Sequence, residues 1–240
     1  MYFDFQTISQ PKYRRAKFLI LGPPKSGRTT VVRTLLYYLS PLIRYAVVFT
    51  RTDYEYKDII PDILIHERMD KNILKNIKED DNEMETKRIV IIIDDINFND
   101  EDLNILTTGF NNNIVLIVVN NKTHLEYNFI ILTHIKNTYK FHLSNFPMIN
   151  YEEISPVYEK ITKEKHSLFI IDYISYPNML NTRFYEYLCY YSKAILPRDY
   201  PTNLKIGLKY IWKVNEVYII SKIYHIKKKY YDIHFRYYYS

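Results

Sequence analysis

The sequence is poor in the two residues that most often mark disulfide chemistry and tight backbone turns. Cys189 is the single cysteine, which excludes an intramolecular disulfide and a cysteine-rich zinc site. A reducing, intracellular compartment is therefore expected. Glycine occurs only 4 times in 240 residues. Because glycine is so scarce, two glycines at the spacing of a known motif weigh more here than in an average chain.

The chain also lacks long apolar runs. No run comes near the roughly 18 to 20 residues that a membrane span needs. The N-terminal stretch MYFDFQTISQPKYRR does not have the basic-then-apolar pattern of a signal peptide, so we expect a soluble protein without a membrane span. No internal repeat, heptad array or Gly/Ser linker is visible. The length then favours one α/β domain, placed at 1–175, followed by an extension at 176–240.

The predicted extension is basic and rich in tyrosine. From residue 205 onward, eight Lys or Arg residues stand against two acidic ones, a surplus equal to the formal net charge of +6 of the whole chain. Lysine and arginine interleaved with tyrosine can neutralise phosphates and stack on bases. The alternative is an ordinary extension with a solvated lysine face and a tyrosine packing surface. Since Ile, Asn, Lys and Tyr are abundant throughout, as an A/T-rich coding sequence would produce, both interpretations stay open.

Short apolar runs alternate with helix-like stretches along the first three quarters of the chain. Continuous apolarity, rather than alternation with polar residues, is typical of strands covered on both faces, as in a parallel sheet. The runs lie at 17–21, 45–50, 88–94, 114–119 and 167–172. The sequence therefore predicts a βαβ-type α/β fold.

Apolar residues at helical spacing predict the helices between these strands. The first helix follows residue 30 and is stopped by Ser40-Pro41. Its apolar side consists of Val32, Leu35, Leu36 and Leu39. Further helices are predicted at about 68–80, 100–108 and 152–163. Gly109 suits the position after a helix end, where a positive φ is needed.

The clearest motif is GPPKSGRT, which runs from Gly22 to Thr29. It matches the Walker A spacing, G-x-x-x-x-G-K-[ST], with arginine where lysine is expected. In a strand-loop-helix context such a loop wraps a polyphosphate with backbone N–H groups, while the helix N-terminus points at the same anion. We therefore predict an ATP-binding loop made of Gly22, Pro23, Pro24, Lys25, Ser26, Gly27, Arg28, Thr29 and Thr30.

Two residues of this loop are predicted to have further roles. The Thr29 hydroxyl is the expected protein ligand of Mg²⁺, and Arg28 would lie against the β- and γ-phosphates. Arginine keeps the positive charge of the expected lysine but is longer and planar, so nucleotide binding could survive while hydrolysis falls. Lys25 is an alternative cationic donor from within the loop.

A second motif is the apolar run IVIIIDD, which ends in Asp94 and Asp95. Ligands of open α/β sheets bind at the carboxyl ends of the strands, so these acids should converge with the phosphate loop. We predict that Asp94 holds Mg²⁺ and that Asp95 polarises the attacking water, as in a Walker B element. The alternative for the motif alone is a buried strand that ends in a solvated turn.

Three more residues are candidates for catalysis. The apolar run at 114–119 ends in Asn120, which could act as a sensor of the γ-phosphate, although asparagine is also a common turn residue. The predicted catalytic set is thus Asp95, Arg28 and Asn120. Arg51 and Arg68 could serve as arginine fingers, or could form surface salt bridges instead.

The order of these segments resembles the poxvirus-type genome-packaging ATPases of the FtsK–HerA superfamily. The resemblance covers about 16–175 and includes the phosphate loop, the run IIIDDI and the stretch LNILTTGFNNNIVLIVVNN. Two positions depart from that family: Arg28 replaces lysine and Asn120 replaces glutamine. The resemblance implies a RecA/ASCE-like P-loop NTPase, a three-layer α/β sandwich with a mostly parallel central sheet and a C-terminal extension.

The same resemblance implies a function and partners. It implies an ATPase that uses ATP and Mg²⁺ to translocate double-stranded DNA into a viral capsid. The expected assembly is a homo-oligomeric ring that contacts a capsid or portal-region protein, in the host cytoplasm or the virion. Because of Arg28, a catalytically weakened nucleotide-binding relative with an assembly role is an alternative. A P-loop nucleotide kinase is a further one, but no arginine-rich lid is visible between 120 and 170.

Overall fold

A computed structural model of the chain describes residues 5–52, 55–82, 87–108, 113–119, 127–133, 167–172 and 189–193, with residues 156, 158 and 160. Their centre is one eight-stranded sheet. Its strands are β1 Lys17–Leu21, β2 Ile43–Thr50, β3 Ile65–His66, β4 Arg88–Asp94, β5 Ile114–Val119, β6 Phe129–Leu132, β7 Ser167–Asp172 and β8 Cys189–Lys193. Across the sheet the strand order is β3-β2-β4-β5-β1-β6-β7-β8.

The sheet is mostly parallel. Strands β3, β2, β4, β5, β1 and β6 all run in one direction, whereas β7 is antiparallel to β6 and to β8. The five predicted strands and the mostly parallel sheet are confirmed; the apolar run at 167–172 did not indicate that β7 is antiparallel. Continuous apolarity reports that both faces of a strand are covered, and it carries no information on strand direction.

Three helices connect these strands in the described residues: α1 Arg28–Leu39, α2 Lys71–Asn82 and α3 Asp100–Thr108. They confirm three predicted helices, although α2 begins three residues later than expected. The Asp70 carboxylate accepts a hydrogen bond from the backbone N–H of Asn72 at 2.8 Å and so fixes this start. Of the helix predicted at 152–163, only residues 156, 158 and 160 are described, and all three are helical.

The sheet is covered on both faces. All seven residues of β4 and all six of β5 are buried, as the continuous apolar runs predicted. The chain moves from β1 outward to β2 and then returns through β4 to β5. With right-handed crossovers, this reversal places α1 on one face and α2 and α3 on the other, which makes three layers. Short 3₁₀ helices add to the cover at Phe5–Ser9, Pro11–Tyr13, Ser40–Leu42 and Asp62–Leu64.

Arg88 ties the N-terminal segment to the amino edge of the sheet. Its guanidinium donates hydrogen bonds to the carbonyls of Ile8, Ser9 and Gln10 at 3.0, 2.9 and 3.1 Å. Arg88 is buried, and burial lowers its pKa from the usual value. The carbonyls at the end of the helix Phe5–Ser9 therefore accept hydrogen bonds from a buried cation instead of from water. This structural contact explains the charged first residue of an otherwise apolar strand.

The strand order also determines where a ligand can bind. Strand β1 lies between β5 and β6. After β1 the chain crosses to β2 on one side of β1, and after β5 it crosses to β6 on the other side. Such a reversal opens a crevice at the carboxyl ends of the strands. The loop after β1 lies at this point. Strand β8 extends the same sheet beyond residue 175. Within the described part of the chain, no helix combines the length and the apolarity needed to cross a membrane.

Candidate functional site

The loop between β1 and α1 has the backbone conformation of a tight anion-binding turn. The backbone N–H of Ser26 donates to the Pro23 carbonyl at 3.2 Å. Gly27, which precedes the first helical residue, has φ 97°, and Lys25 has φ 65°. A positive φ is accessible to glycine without strain and is costly for most other residues. The conformation therefore explains why the second motif glycine stands at position 27.

The first motif glycine is required for a different reason. A Cβ atom at Gly22 would lie 1.9 Å from Thr133 Oγ1 and 2.5 Å from Ser26 Oγ. The two hydroxyls are themselves hydrogen-bonded at 2.6 Å. Thr133 directly follows β6, and its backbone N–H donates to the Leu21 carbonyl at 3.0 Å. The phosphate loop is thus held against the end of the neighbouring strand, and only glycine leaves room for this contact.

The start of α1 is suited to bind an anion. The first N–H groups of a helix have no intrahelical acceptor, and here the residue before the helix contributes no side-chain cap. The first turn contains no acidic residue that would compete with an anion for the positive end of the helix dipole. Together with the loop, these groups form a backbone surface of the type that holds phosphates.

Asp94 and Asp95 stand where β4 leaves the same edge of the sheet. Asp94 is buried and accepts a hydrogen bond from the hydroxyl of Tyr56 at 2.7 Å. Burial raises the pKa of Asp94 from 3.8 to about 6; the Tyr56 hydrogen bond opposes this rise, Asp95 and Glu55 add to it, and Arg28 opposes it. Tyr56 contacts Asp94, Glu55 precedes Tyr56 in the chain, Asp95 follows Asp94, and Arg28 contacts Asp95, so the five residues lie in one cluster.

Arg28 is paired with Asp95 across this cluster. Its Nη2 lies 2.8 Å from Asp95 Oδ2 and its Nη1 lies 3.4 Å from Oδ1, a two-pronged contact. The Arg28 side chain is 13% exposed and that of Asp95 is 47% exposed. Asp95 has φ 53°, and its N–H donates to the Val119 carbonyl at 3.4 Å. The predicted phosphate-binding cation and the predicted water-polarising carboxylate therefore contact each other.

Thr29 contacts a carboxylate that the sequence did not single out. Its Oγ1 donates a hydrogen bond to Glu55 Oε2 at 2.5 Å. Glu55 lies in the segment that follows β2. Arg33, one turn along α1, donates to the Glu55 carbonyl at 3.2 Å and pairs with the Asp58 carboxylate. The segment after β2 is thereby attached to the helix that follows the phosphate loop.

The donor set fits Mg²⁺. Thr29 offers a hydroxyl oxygen, and Asp94 and Glu55 offer carboxylates within one cluster. Hard oxygen donors of this kind are those that Mg²⁺ prefers, usually with one or two carboxylates and with phosphate and water as the other ligands. Among the described residues, no three His, Cys, Asp or Glu side chains are grouped to hold a metal by themselves.

The structure brings most of the predicted site together. The loop residues, Arg28, Thr29, Asp94 and Asp95 all lie at the carboxyl edge of the sheet near the crevice. Asn120 and Gly109 lie outside the described residues, so their predicted roles remain predictions. Lys25, Arg51 and Arg68 are exposed, which leaves the roles proposed for them untested.

Glu55, Tyr56 and Thr133 were missed. Glu55 and Tyr56 belong to the charged stretch RTDYEYKD that follows the second apolar run. The signal was the same as at Asp94 and Asp95, acidic residues after a buried strand, but the four residues between Thr50 and Glu55 obscured it. Thr133 follows FIIL, an apolar run of four residues that was too short to stand out in an isoleucine-rich chain.

The architecture is α/β with a mostly parallel central sheet, and the phosphate loop follows the first strand, as in P-loop NTPases. No protein family description and no curated protein sequence matches the chain. Solved structures of the genome packaging NTPase B204 from Sulfolobus turreted icosahedral virus 2 are similar in overall arrangement. The complex with AMPPCP is 13% identical with a TM-score of 0.46, and covers 78% of this chain and 100% of that chain.

Two further structures of the same viral protein are also similar to this chain. The complex with ATP-gammaS is 14% identical with a TM-score of 0.48, and covers 78% of this chain and 100% of that one. The complex with sulfate is 16% identical with a TM-score of 0.49, and covers 76% and 98%.

Proposed function

We propose that this chain binds a nucleoside triphosphate, with ATP as the expected nucleotide, and hydrolyses it. One observation carries the proposal: the glycine loop after β1, the N-terminus of α1 and the acids at the end of β4 converge at the crevice of the sheet. Backbone donors for phosphate, a hydroxyl and carboxylates for a metal, and a cation are the parts that phosphoryl transfer needs.

Each part has a separate task in this proposal. The loop from Gly22 to Gly27 and the first turn of α1 hold the phosphates through backbone N–H groups. Thr29 and Asp94 would hold Mg²⁺, which neutralises phosphate charge when bound. The Arg28 guanidinium has five N–H donors, so it can contact a phosphate oxygen while it remains paired with Asp95.

The binding step is tested by measuring the ATP dissociation constant with and without Mg²⁺. We expect Mg²⁺ to tighten binding by the wild-type chain, and Thr29→Ala to abolish most of that effect because the hydroxyl ligand is removed. Thr7→Ala, the same change in the N-terminal helix Phe5–Ser9, is the matched control and should behave as wild type. Failure of the wild-type chain to bind ATP would overturn the proposal.

We further propose that hydrolysis drives the movement of double-stranded DNA by a homo-oligomeric ring, in the packaging of a viral genome with a capsid or portal-region protein. The support is the order of the strand, loop and helix segments and the basic extension. The test is ATP turnover with and without double-stranded DNA. Stimulation by DNA is expected. Turnover that is indifferent to DNA would count against a translocating motor and leave an ATPase with another task.

A second candidate is a nucleotide-binding protein with little turnover and a role in assembly. The two-pronged contact between Arg28 and Asp95 favours it, because it engages both predicted catalytic groups. Turnover by the wild-type chain and by Arg28→Lys distinguishes the two functions. If the arginine limits hydrolysis, the lysine variant should turn over ATP at least about tenfold faster. High turnover by the wild-type chain would remove this candidate.

A further inference from the structure

Glu55 is the carboxylate that the structure places against the phosphate loop. It accepts the Thr29 hydroxyl at 2.5 Å, whereas Asp95 contacts Arg28. Strand β2 lies directly beside β4, and the cross-strand partner of Asp94 is Thr50, the last residue of β2. The segment that leaves β2 therefore emerges at the same edge as the phosphate loop and the acids of β4.

This segment is fixed from both sides. Toward α1, Arg33 donates to the Glu55 carbonyl at 3.2 Å and pairs with Asp58. Toward the sheet, the adjacent Tyr56 is fully buried and donates its hydroxyl to Asp94 at 2.7 Å. Because the Glu55 carbonyl and the adjacent Tyr56 are both hydrogen-bonded, the Glu55 carboxylate is presented to the site by a fixed backbone. A solvated surface glutamate would not need such support.

The two carboxylates differ in what they can offer to a water molecule. Asp95 uses both oxygens for the guanidinium of Arg28, and its side chain is half exposed. Among the residues that the structure describes, the Glu55 carboxylate accepts from a neutral hydroxyl, that of Thr29, the residue expected to contact the metal and the phosphates. A carboxylate that accepts from a neutral group keeps more of its negative charge for an additional O–H donor.

We propose that Glu55, rather than Asp95, orients the water that attacks the γ-phosphate. The inference rests on the proposed function as an ATPase. The water donates one O–H to Glu55 while its oxygen forms a bond to the γ-phosphorus. The bond from that phosphorus to the β,γ-bridging oxygen breaks, and its electron pair leaves with ADP. The proton of the water passes to the released phosphate, so Glu55 is unchanged after the reaction. Arg33 is then a positioning residue that acts through Glu55.

The test compares Glu55→Gln, Asp95→Asn and Glu67→Gln. Glutamine keeps the size of Glu55 and can accept the Thr29 hydroxyl, but it has no charge to orient water. We expect Glu55→Gln to lower kcat by about 100-fold or more while the ATP dissociation constant changes by less than about threefold. Asp95→Asn should cause a smaller loss. Glu67→Gln changes an exposed glutamate just after β3 and should leave kcat and binding as in wild type.

The nucleotide that stays bound to each variant is a second readout. After incubation with ATP and Mg²⁺, nucleotide extracted from Glu55→Gln should still be ATP, whereas the wild-type chain should yield ADP. Full turnover by Glu55→Gln, or a loss of ATP affinity equal to its loss of kcat, overturns the inference and leaves the proposed ATPase intact. A wild-type chain that binds ATP without hydrolysing it overturns both.

Discussion

At the residue scale, Asp94 is a carboxyl group whose surroundings disfavour its ionised form. It is 5% exposed, and burial raises its pKa to about 6 even though the Tyr56 hydroxyl stabilises the charge. Burying a carboxylate costs free energy that a hydrogen bond from a neutral group offsets only in part. A carboxylate kept in such a place is typical of functional sites, where a bound cation restores the balance.

We therefore expect Asp94→Asn to change how stability depends on pH. Between pH 3.8 and about 6 the folded chain holds a proton at Asp94 that the unfolded chain has released, so this group makes stability fall as the pH rises through that window. The effect is at most about 3 kcal/mol. Asparagine has no such proton. The free energy of urea unfolding, measured from about pH 4 to pH 7, should fall less in the variant than in the wild type.

The control for this prediction is Asp62→Asn, the same change at an exposed aspartate. If Asp94→Asn and Asp62→Asn respond to pH in the same way, the buried carboxylate is not the group that titrates.

At the element scale, the phosphate loop depends on β6, a strand remote from it in the chain. Thr133, just after β6, contacts Ser26, and its own carbonyl accepts the buried hydroxyl of Tyr158 at 2.8 Å. The loop is thus supported by the strand that pairs with β1 on its other side, in addition to its own Ser26–Pro23 hydrogen bond. A substitution that separates the loop from Thr133 should weaken ligand binding more than it destabilises the fold.

Gly22→Ala tests this support. The new methyl group would meet Thr133 Oγ1 at 1.9 Å, so the loop must shift, and ATP affinity should fall by at least about tenfold. The double variant Gly22→Ala with Thr133→Ala removes the nearest atom and should recover part of the affinity. Thr133→Ala alone is the control. Wild-type ATP affinity in Gly22→Ala would contradict the close approach, and additive effects in the double variant would contradict the contact with Thr133.

The longer and more apolar a strand is, the more clearly the sequence predicts it. Strands β2, β4 and β5 are long apolar runs, buried at every residue except Arg44 of β2, and the sequence shows them plainly. Strand β3 has two residues and β6 has four, so neither gives a periodic signal that differs from its surroundings. The antiparallel direction of β7 is decided by its pairing with β6, which is a long-range contact that no local pattern records.

At the scale of the whole molecule, a positive net charge is expected to matter for binding to DNA rather than for the fold. The formal net charge is +6, and the segment from residue 205 onward has a surplus of the same size. If this segment contacts the phosphate backbone, its lysines displace counterions, and binding weakens as salt is added. If it is an ordinary extension, its lysines should have no special effect.

A matched pair of triple variants distinguishes these interpretations. Replacing Lys227, Lys228 and Lys229 with glutamine should weaken binding to double-stranded DNA and reduce the slope of log affinity against log salt by about 0.9 for each DNA phosphate that is no longer neutralised. The control replaces Lys71, Lys75 and Lys78 of α2, exposed lysines that carry the same total charge, with glutamine. Equal effects of the two triple variants would show that only net charge matters.

The local features of this protein follow from its sequence alone. The phosphate loop, α1 and the acids that end β4 follow from glycine spacing, helical periodicity and an apolar run, all properties of neighbouring residues. Only the tertiary structure decided which side chains meet. Thr29 and Glu55 are 26 residues apart and Arg28 and Asp95 are 67 apart, so both contacts depend on the order of strands in the sheet. Strand order is set by the packing of the whole core, and it therefore placed Glu55 beside Thr29.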